Sequence, residues 1–203
     1  MDMQINANVV KELRGRTGVG MMECKKALVE AGGDVAEAEK ILRKRGLAAA
    51  AKKAGRATGE GAVASYIHTG GKIGVLVEVN CETDFAARSD DFQELVRGVA
   101  MHIAAAAPRF LRREDVSEAD LVDEREIARD QAERTGKPAG VVDKIVEGKM
   151  EKFYAENVLL EQPFVKDPDR SVGQHIAQAV GRIGENIQVR RFCRFVLGEG
   201  SES

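Results

Sequence analysis

Cys81, Thr83, Asp84 and Phe85 place a thiol, a hydroxyl, a carboxylate and an aromatic ring in one short stretch. A cysteine paired with a distant histidine is the constellation of a thiol hydrolase. A free cysteine also serves, more simply, as a small buried hydrophobe. His68, His102 and His175 lie far apart and lack the paired spacing that zinc requires. Gly15, Gly18 and Gly20 are close together, but they fall between two helical patterns rather than after a strand, which argues against a dinucleotide fingerprint. No Gly-x-x-x-x-Gly-Lys-Ser/Thr run is present to cradle a phosphate. Catalytic constellations are thin, with no metal or cofactor expected, and a Cys81 nucleophile stays open beside the reading of a buried thiol.

The elements around Phe85 decide what its ring can do. Lys72 to Asn80 reads as a strand, with Ile73, Val75, Val77 and Val79 on one face. Thr83 is a good helix N-cap, and Asp84 in the first turn suits the helix dipole. Phe85 therefore sits at a strand-to-helix corner. It either projects outward as a probe for a partner or packs beneath its own helix. Aromatics are only 4% of the chain and tryptophan is absent, so an aromatic at an edge carries weight.

Before this corner, the pattern predicts a three-helix module over residues 1–53. Asn8 caps the first helix, which carries Val9, Val10 and Leu13 and stops near Thr17-Gly18. The second runs from about Met21 to Ala31 and ends at Gly32-Gly33. Asp34, with Glu37 three residues on, opens the third as a capping box, and Gly46 stops it before a short helical continuation. Three helices of this size leave little room for a deep pocket, so the module reads as a docking unit. Residues 54–61, rich in glycine and charge, read as a linker.

Residues 62–203 read as a mixed domain. Ala62–Thr69 and Lys72–Asn80 flank Gly70-Gly71 as a hairpin with a two-residue turn. Ser89 caps a long helix through Phe92, Leu95, Val96, Val99 and Ile103. Residues from about 115 to 157 form a projecting helical hairpin turned at Thr135-Gly136-Lys137-Pro138. Ser171 caps a further helix, and Ile187–Leu197 is the last strand. The fold class is α+β, an antiparallel sheet with helices on one face.

Composition sets limits. The formal net charge is −2 with 32% charged residues, a soluble and nearly balanced surface with no basic field for nucleic acid. No apolar run approaches the roughly 20 residues that span a bilayer. The Met1-Asp2-Met3-Gln4 start lacks secretory character. Three widely spaced cysteines, an odd number, fit a reducing compartment, so cytoplasm is expected.

Two long motifs go further. Val10-Lys11-Glu12-Leu13-Arg14 followed by Thr17-Gly18-Val19-Gly20-Met21-Met22-Glu23-Cys24-Lys25-Lys26-Ala27-Leu28 resembles the amino-terminal signature of the translation elongation factor Ts family. Glu78-Val79-Asn80-Cys81-Glu82-Thr83-Asp84-Phe85-Ala86 resembles its second signature. Met101-His102-Ile103-Ala104 with Pro108, Glu147-Gly148-Lys149-Met150 and Gln162-Pro163-Phe164-Val165 match as well, so the similarity spans essentially the whole chain. Longer members carry a duplicated core. This chain holds one, like the short form, in which a homodimer can supply the second half.

The resemblance implies a guanine nucleotide exchange factor for elongation factor Tu. It places Arg14, Met21 and Met22 on a ubiquitin-associated-like docking module, and Thr83, Asp84, Phe85 and Ala86 in a wedge that dislodges the GTPase's magnesium. With it in view, the outward orientation of Phe85 is favoured. Two other readings are an adaptor that binds without accelerating nucleotide release and a Cys81-dependent hydrolase.

Overall fold

The computed structural model describes residues 5–199, so the Met1-Asp2-Met3-Gln4 stretch lies outside the described residues. Helix α1 (Ala7–Thr17) begins earlier than the pattern predicts because Asn6, not Asn8, is the cap. The Asn6 side chain accepts the backbone N–H of Asn8 at 2.9 Å. Helix α2 (Met21–Glu30) follows, then α3 (Val35–Lys53), where the Asp34 carboxylate accepts the Glu37 N–H at 2.9 Å. Val10, Leu13, Cys24, Ala27, Leu28, Ala38 and Leu42 form the core that these three amphipathic faces share.

Gly46 does not stop α3, which runs on to Lys53. Its missing side chain serves packing against α8 (Val172–Ile183). A Cβ on Gly181 would lie 3.2 Å from the Gly46 Cα, and one on Gly46 would lie 3.8 Å from the Ala177 carbonyl. A mid-helix glycine costs about 1 kcal/mol in helix propensity, and here that loss allows two backbones to approach closely.

Strands β1 (Glu60–Ile67), β2 (Ile73–Cys81) and β5 (Ile187–Val196) form an antiparallel sheet in the order β1-β2-β5. Along β2, Val75, Val77, Val79 and Cys81 are buried, the period of two that one covered face requires. The connection between β1 and β2 is wider than a two-residue turn. His68 N–H donates to Ile73 O at 2.9 Å and Gly71 N–H to His68 O at 2.9 Å, so residues 69–72 form the loop.

After β2 come α4 (Asp84–Ala87) and α5 (Asp90–Ala106), divided at Ser89, whose Oγ accepts the Phe92 N–H at 3.3 Å. Helices α6 (Glu118–Glu133) and α7 (Ala139–Asn157) form the helical hairpin. Its seam is Ala128, Ala132, Val142, Val146 and Met150, and Val116, Phe153 and Val158 close its base. The contacts group the chain into two compact units. One is Met1–Ala62, Val79–Val96 and Gln174–Arg190; the other is Val63–Glu78, Arg97–Gly173 and Arg191–Ser203.

In the second unit, a small hairpin of β3 (Pro163–Phe164) and β4 (Asp167–Ser171) adds an element that the sequence pattern does not reveal. Asp167-Pro168-Asp169-Arg170 has no apolar alternation. The hairpin is held instead by His102. The Val165 N–H donates to Nδ1 at 3.1 Å, and Nε2 lies 2.9 Å from Gln162 Oε1. Because a backbone amide can only donate, Nδ1 is the acceptor, and Nε2 carries the proton that it gives to Gln162. The Gln162 amide in turn donates to the carbonyls of Glu156 and Ala106 at 2.8 and 3.2 Å. The buried imidazole is thus fully paired only when neutral.

A second proton on His102 would meet the Val165 N–H donor to donor, in a fully buried site. Burial accordingly lowers its pKa below the ordinary 6.5, with the Gln162 hydrogen bond opposing. With the folded value below the unfolded one, the unfolded chain binds the extra proton between them. This contribution to stability is therefore complete above pH 6.5 and is lost as pH falls from there through the folded value. Urea melts between pH 8 and 5.5 are expected to show wild-type stability declining below pH 6.5, with a slope of at most about 1.4 kcal/mol per pH unit. His102→Phe should lose that slope; equal slopes in both proteins would refute the assignment.

Candidate partner-binding surface

The Thr83–Ala86 corner is made by local rules and then pinned from outside. Thr83 is extended, with φ −130° and ψ 155°, and its Oγ1 accepts the Ala86 N–H at 3.2 Å. Ala86 and Ala87 turn into the core, while Asp84, Phe85 and Arg88 face solvent. Asp84 lies i to i+4 from Arg88, with 2.7 Å between their charged ends. A pair this exposed is worth at most about 1 kcal/mol. Phe85 is 84% exposed, the most exposed of the large hydrophobic side chains among the described residues. Packing beneath its own helix is therefore ruled out for this ring.

The turn after α8 holds the corner. The Glu185 carboxylate accepts the backbone N–H groups of Glu82 and Thr83 on Oε2, at 3.1 and 3.0 Å, and the Thr83 hydroxyl on Oε1, at 2.7 Å. Glu82 returns the contact, its carboxylate accepting the Asn186 N–H at 2.6 Å. That bond, reinforced by Arg56 against the opposing effect of burial, keeps the Glu82 carboxyl below its ordinary range. The Asn186 side-chain amide donates to the carbonyls of Ala54 and Arg56 at 3.3 and 2.8 Å, tying the segment after α3 to the same turn. At the start of β1, Gly61 has φ +143°, and a Cβ there would lie 2.2 Å from the Val79 carbonyl. Only glycine admits β1 this close to the end of β2.

The docking-module residues lie in the same compact unit. Arg14 is exposed on α1. Met21 packs against the three-helix core, while Met22 is 67% exposed. Adjacent helical positions point about 100° apart, which accounts for one methionine turned in and one turned out. Behind them, Gln178 of α8 donates to the Thr17 carbonyl at 3.4 Å, and Arg182 lies over Gly18.

The family model for elongation factor Ts matches residues 23–199. An elongation factor Ts from Anaeromyxobacter sp. (strain Fw109-5) is 62% identical over 199 residues, covering 98% of this chain and 91% of that protein. That of Geobacter sulfurreducens is 61% identical, covering 98% and 93%. The chain belongs to the elongation factor Ts family. That of Thermoanaerobacter sp. (strain X514) is 58% identical over 98% of this chain and 98% of its own length, so it is a relative of about the same length. The family match begins after Arg14, Met21 and Met22, whereas the relatives' alignments take in almost the whole chain. Thr83 to Ala86 fall well inside both. Glu185 and Asn186, which complete the corner, were not singled out from sequence: a polar Gly-Glu-Asn turn between a helix and a strand looks like any connection.

Cys81, beside the corner, is buried, and its thiol donates to the Thr83 carbonyl at 3.1 Å. Burial pushes its pKa above the ordinary value, and the Glu185 carboxylate adds to the shift. Since the thiolate is the nucleophile, such a site is unreactive. Among the described residues, no group of three or more His, Cys, Asp or Glu is placed to hold a metal ion, and no helix is long and apolar enough to cross a membrane. Alkylation with iodoacetamide at pH 8, read by peptide mapping, is expected to leave Cys81 unlabelled in the native protein and label it after denaturation. Rapid labelling of native Cys81 would contradict its placement.

Proposed function

We infer that this chain is a non-catalytic guanine nucleotide exchange factor, which promotes GDP release from elongation factor Tu during translation elongation in the cytoplasm. The observation that carries the reading is Phe85, a solvent-facing aromatic on a pinned corner of a chain from the elongation factor Ts family. An exposed ring adds little to its own fold, and a corner held by five named hydrogen bonds presents it in one direction.

The mechanism follows from linkage. A magnesium ion beside GDP on the GTPase would offset the phosphate charge, so dislodging it would weaken nucleotide binding. A factor that lowers GDP affinity is itself bound less tightly when GDP is present. The exchanger therefore needs contacts completed only on the distorted GTPase. Thr83, Asp84, Phe85 and Ala86 form that wedge, with Phe85 entering the GTPase domain. Burying one Phe contributes roughly 1.5–3 kcal/mol, one to two powers of ten in affinity. Arg14, Met21 and Met22 on the docking module, residues 1–53, supply further binding energy, joined through 54–61 to the core of 62–203 with its hairpin of about 115–157. The chain binds neither nucleic acid nor membrane directly and needs no cofactor.

Fluorescent GDP preloaded on elongation factor Tu should leave faster when this protein and excess unlabelled nucleotide are added. Phe85→Ala should remain folded by circular dichroism and lose about 30-fold in stimulated release, corresponding to about 2 kcal/mol at a central aromatic contact. Unchanged release with wild-type protein would sink the exchange reading. A folded, fully active Phe85→Ala would sink only the wedge.

The working unit is a homodimer. In the second compact unit, Val63 and Ile67 on β1, Leu76 on β2, Phe195 on β5 and the following Leu197 are exposed large apolar side chains. The Ile67 Cδ1 lies 3.2 Å from where a Cβ on Gly74 would be, which places Ile67 on the uncovered face of β2. An uncovered apolar sheet face with a free edge strand is poorly compatible with an isolated monomer. A second copy covers it. Sedimentation equilibrium at tens of micromolar, a range that brackets ordinary weak association, should give a dimer, and Phe195→Asp should shift it toward monomer. A wild-type protein that stays monomeric would overturn this assembly.

A further inference from the structure

We propose that Glu185 is a positioning residue for nucleotide exchange: its carboxylate sets the direction in which Phe85 is presented. The inference rests on the exchange reading and deepens it. Helix α4 has four residues, far below the roughly 12–15 that an isolated helix needs to persist in water. Its far end is seated by the buried Ala86 and Ala87 and by Gln93, which donates to the Ala87 carbonyl, so what remains to fix its direction is its entry at Thr83. Thr83 is held by Cys81, whose thiol donates to its carbonyl, and by one group remote in sequence, the Glu185 carboxylate, which takes both its backbone N–H and its hydroxyl, along with the N–H of Glu82. The hydroxyl has a second duty, accepting the Ala86 N–H as the helix cap. Donation to Glu185 directs the hydroxyl proton outward and leaves its lone pairs for that cap.

Glu185 can reach the corner because of its own support. Gly184 closes α8 at φ +88°, with its N–H donating to the Val180 carbonyl at 2.9 Å, and this left-handed residue turns the chain toward Thr83. Asn186 then locks the turn through Glu82, Ala54 and Arg56. Helix α8 is also the element that touches Thr17 and Gly18 behind the docking face. One helix and its closing turn thus brace the two surfaces assigned to the partner.

Thr83 and its amide are solvent-exposed, so water can take over as acceptor when the carboxylate is removed. Loss of Glu185 should therefore loosen the corner far more than it destabilises the fold. A glutamine can stand in: its Oε1 accepts the two amides, and its Nε2 donates to the remaining lone pair of the Thr83 hydroxyl.

The test compares wild type, Glu185→Ala, Glu185→Gln, Phe85→Ala and the Glu185→Ala/Phe85→Ala double variant, with stimulated GDP release and site-resolved amide hydrogen exchange as readouts. Glu185→Ala is expected to speed amide exchange at Glu82, Thr83 and Ala86 and to cut stimulated release by roughly tenfold. Glu185→Gln should restore most of both. The double variant should release GDP no more slowly than Phe85→Ala alone, because Glu185 acts only through the ring. Unchanged amide protection in Glu185→Ala, or losses that multiply in the double variant, would overturn the proposal. If wild-type protein fails to stimulate release, the exchange reading falls, while the amide-exchange comparison still decides whether Glu185 sets the corner.

Discussion

A single carboxylate that accepts three hydrogen bonds holds the feature on which the functional reading depends. On the proposal above, the Glu185 contacts narrow the directions of the exposed phenylalanine, on a turn that Ala86 and Ala87 already seat in the core. A flexible aromatic must give up conformational freedom on binding, and that loss subtracts from its affinity. A held one does not. The reciprocal bond from Asn186 to Glu82 and the close approach permitted by Gly61 add stiffness from two further directions.

The same unit shows how polar and apolar forces divide the work. The three-helix module gains cohesion from a small core of Val10, Leu13, Leu28, Leu42 and their neighbours. It meets α8 at Gly46 and Gly181, where the absence of a Cβ brings backbones together, and through the Gln178 and Arg182 side chains. The numerous surface ion pairs contribute little by comparison. Arg125 with Glu147 and Arg129 with Asp143 bridge the α6–α7 hairpin at 3.3 and 3.1 Å, both with exposed partners. The hairpin is held mainly by its Ala128, Ala132, Val142, Val146 and Met150 seam.

Exchange, the proposed function, requires no chemistry from the exchanger. Its polar interior groups are spent on architecture. His102 and Gln162 join α5 to the β3–β4 hairpin, and Cys81 is a buried thiol satisfied by a carbonyl. Among the exposed large apolar side chains are Phe85 on its corner, Met22 on α2 and the sheet-face group that includes Val63, Ile67 and Phe195. On the proposed exchange reading, such features are complementary to a partner in one state and less so in another, as coupling to nucleotide affinity demands.

Much was legible in the sequence because it rests on local rules. Alternation in Ile73–Val79, the Thr83 cap, the Ser89 break, the hairpin turn at Thr135–Pro138 and the α+β class all follow from periods and capping chemistry that a few neighbouring residues determine. The two signatures pointed to the family. Some local signals misled because the partner was distant and others because a neighbour took the same role. Gly46 resembles a stop until α8 is placed against it, and Asn8 resembles a cap although Asn6, two residues earlier, takes that position. The hairpin at Gly70-Gly71 opened into a wider loop because His68 pairs with Ile73. Glu185 and Thr83 are about a hundred residues apart, as are the groups that Asn186 joins to Glu82. His102 and Val165 are likewise remote. Hydrogen bonds of that sequence separation leave no periodic trace, since neither partner's neighbours reveal the other. Residue types and spacing determined which elements form and that an aromatic stands at a corner; only the tertiary fold decided that the ring faces solvent and which carboxylate holds it there.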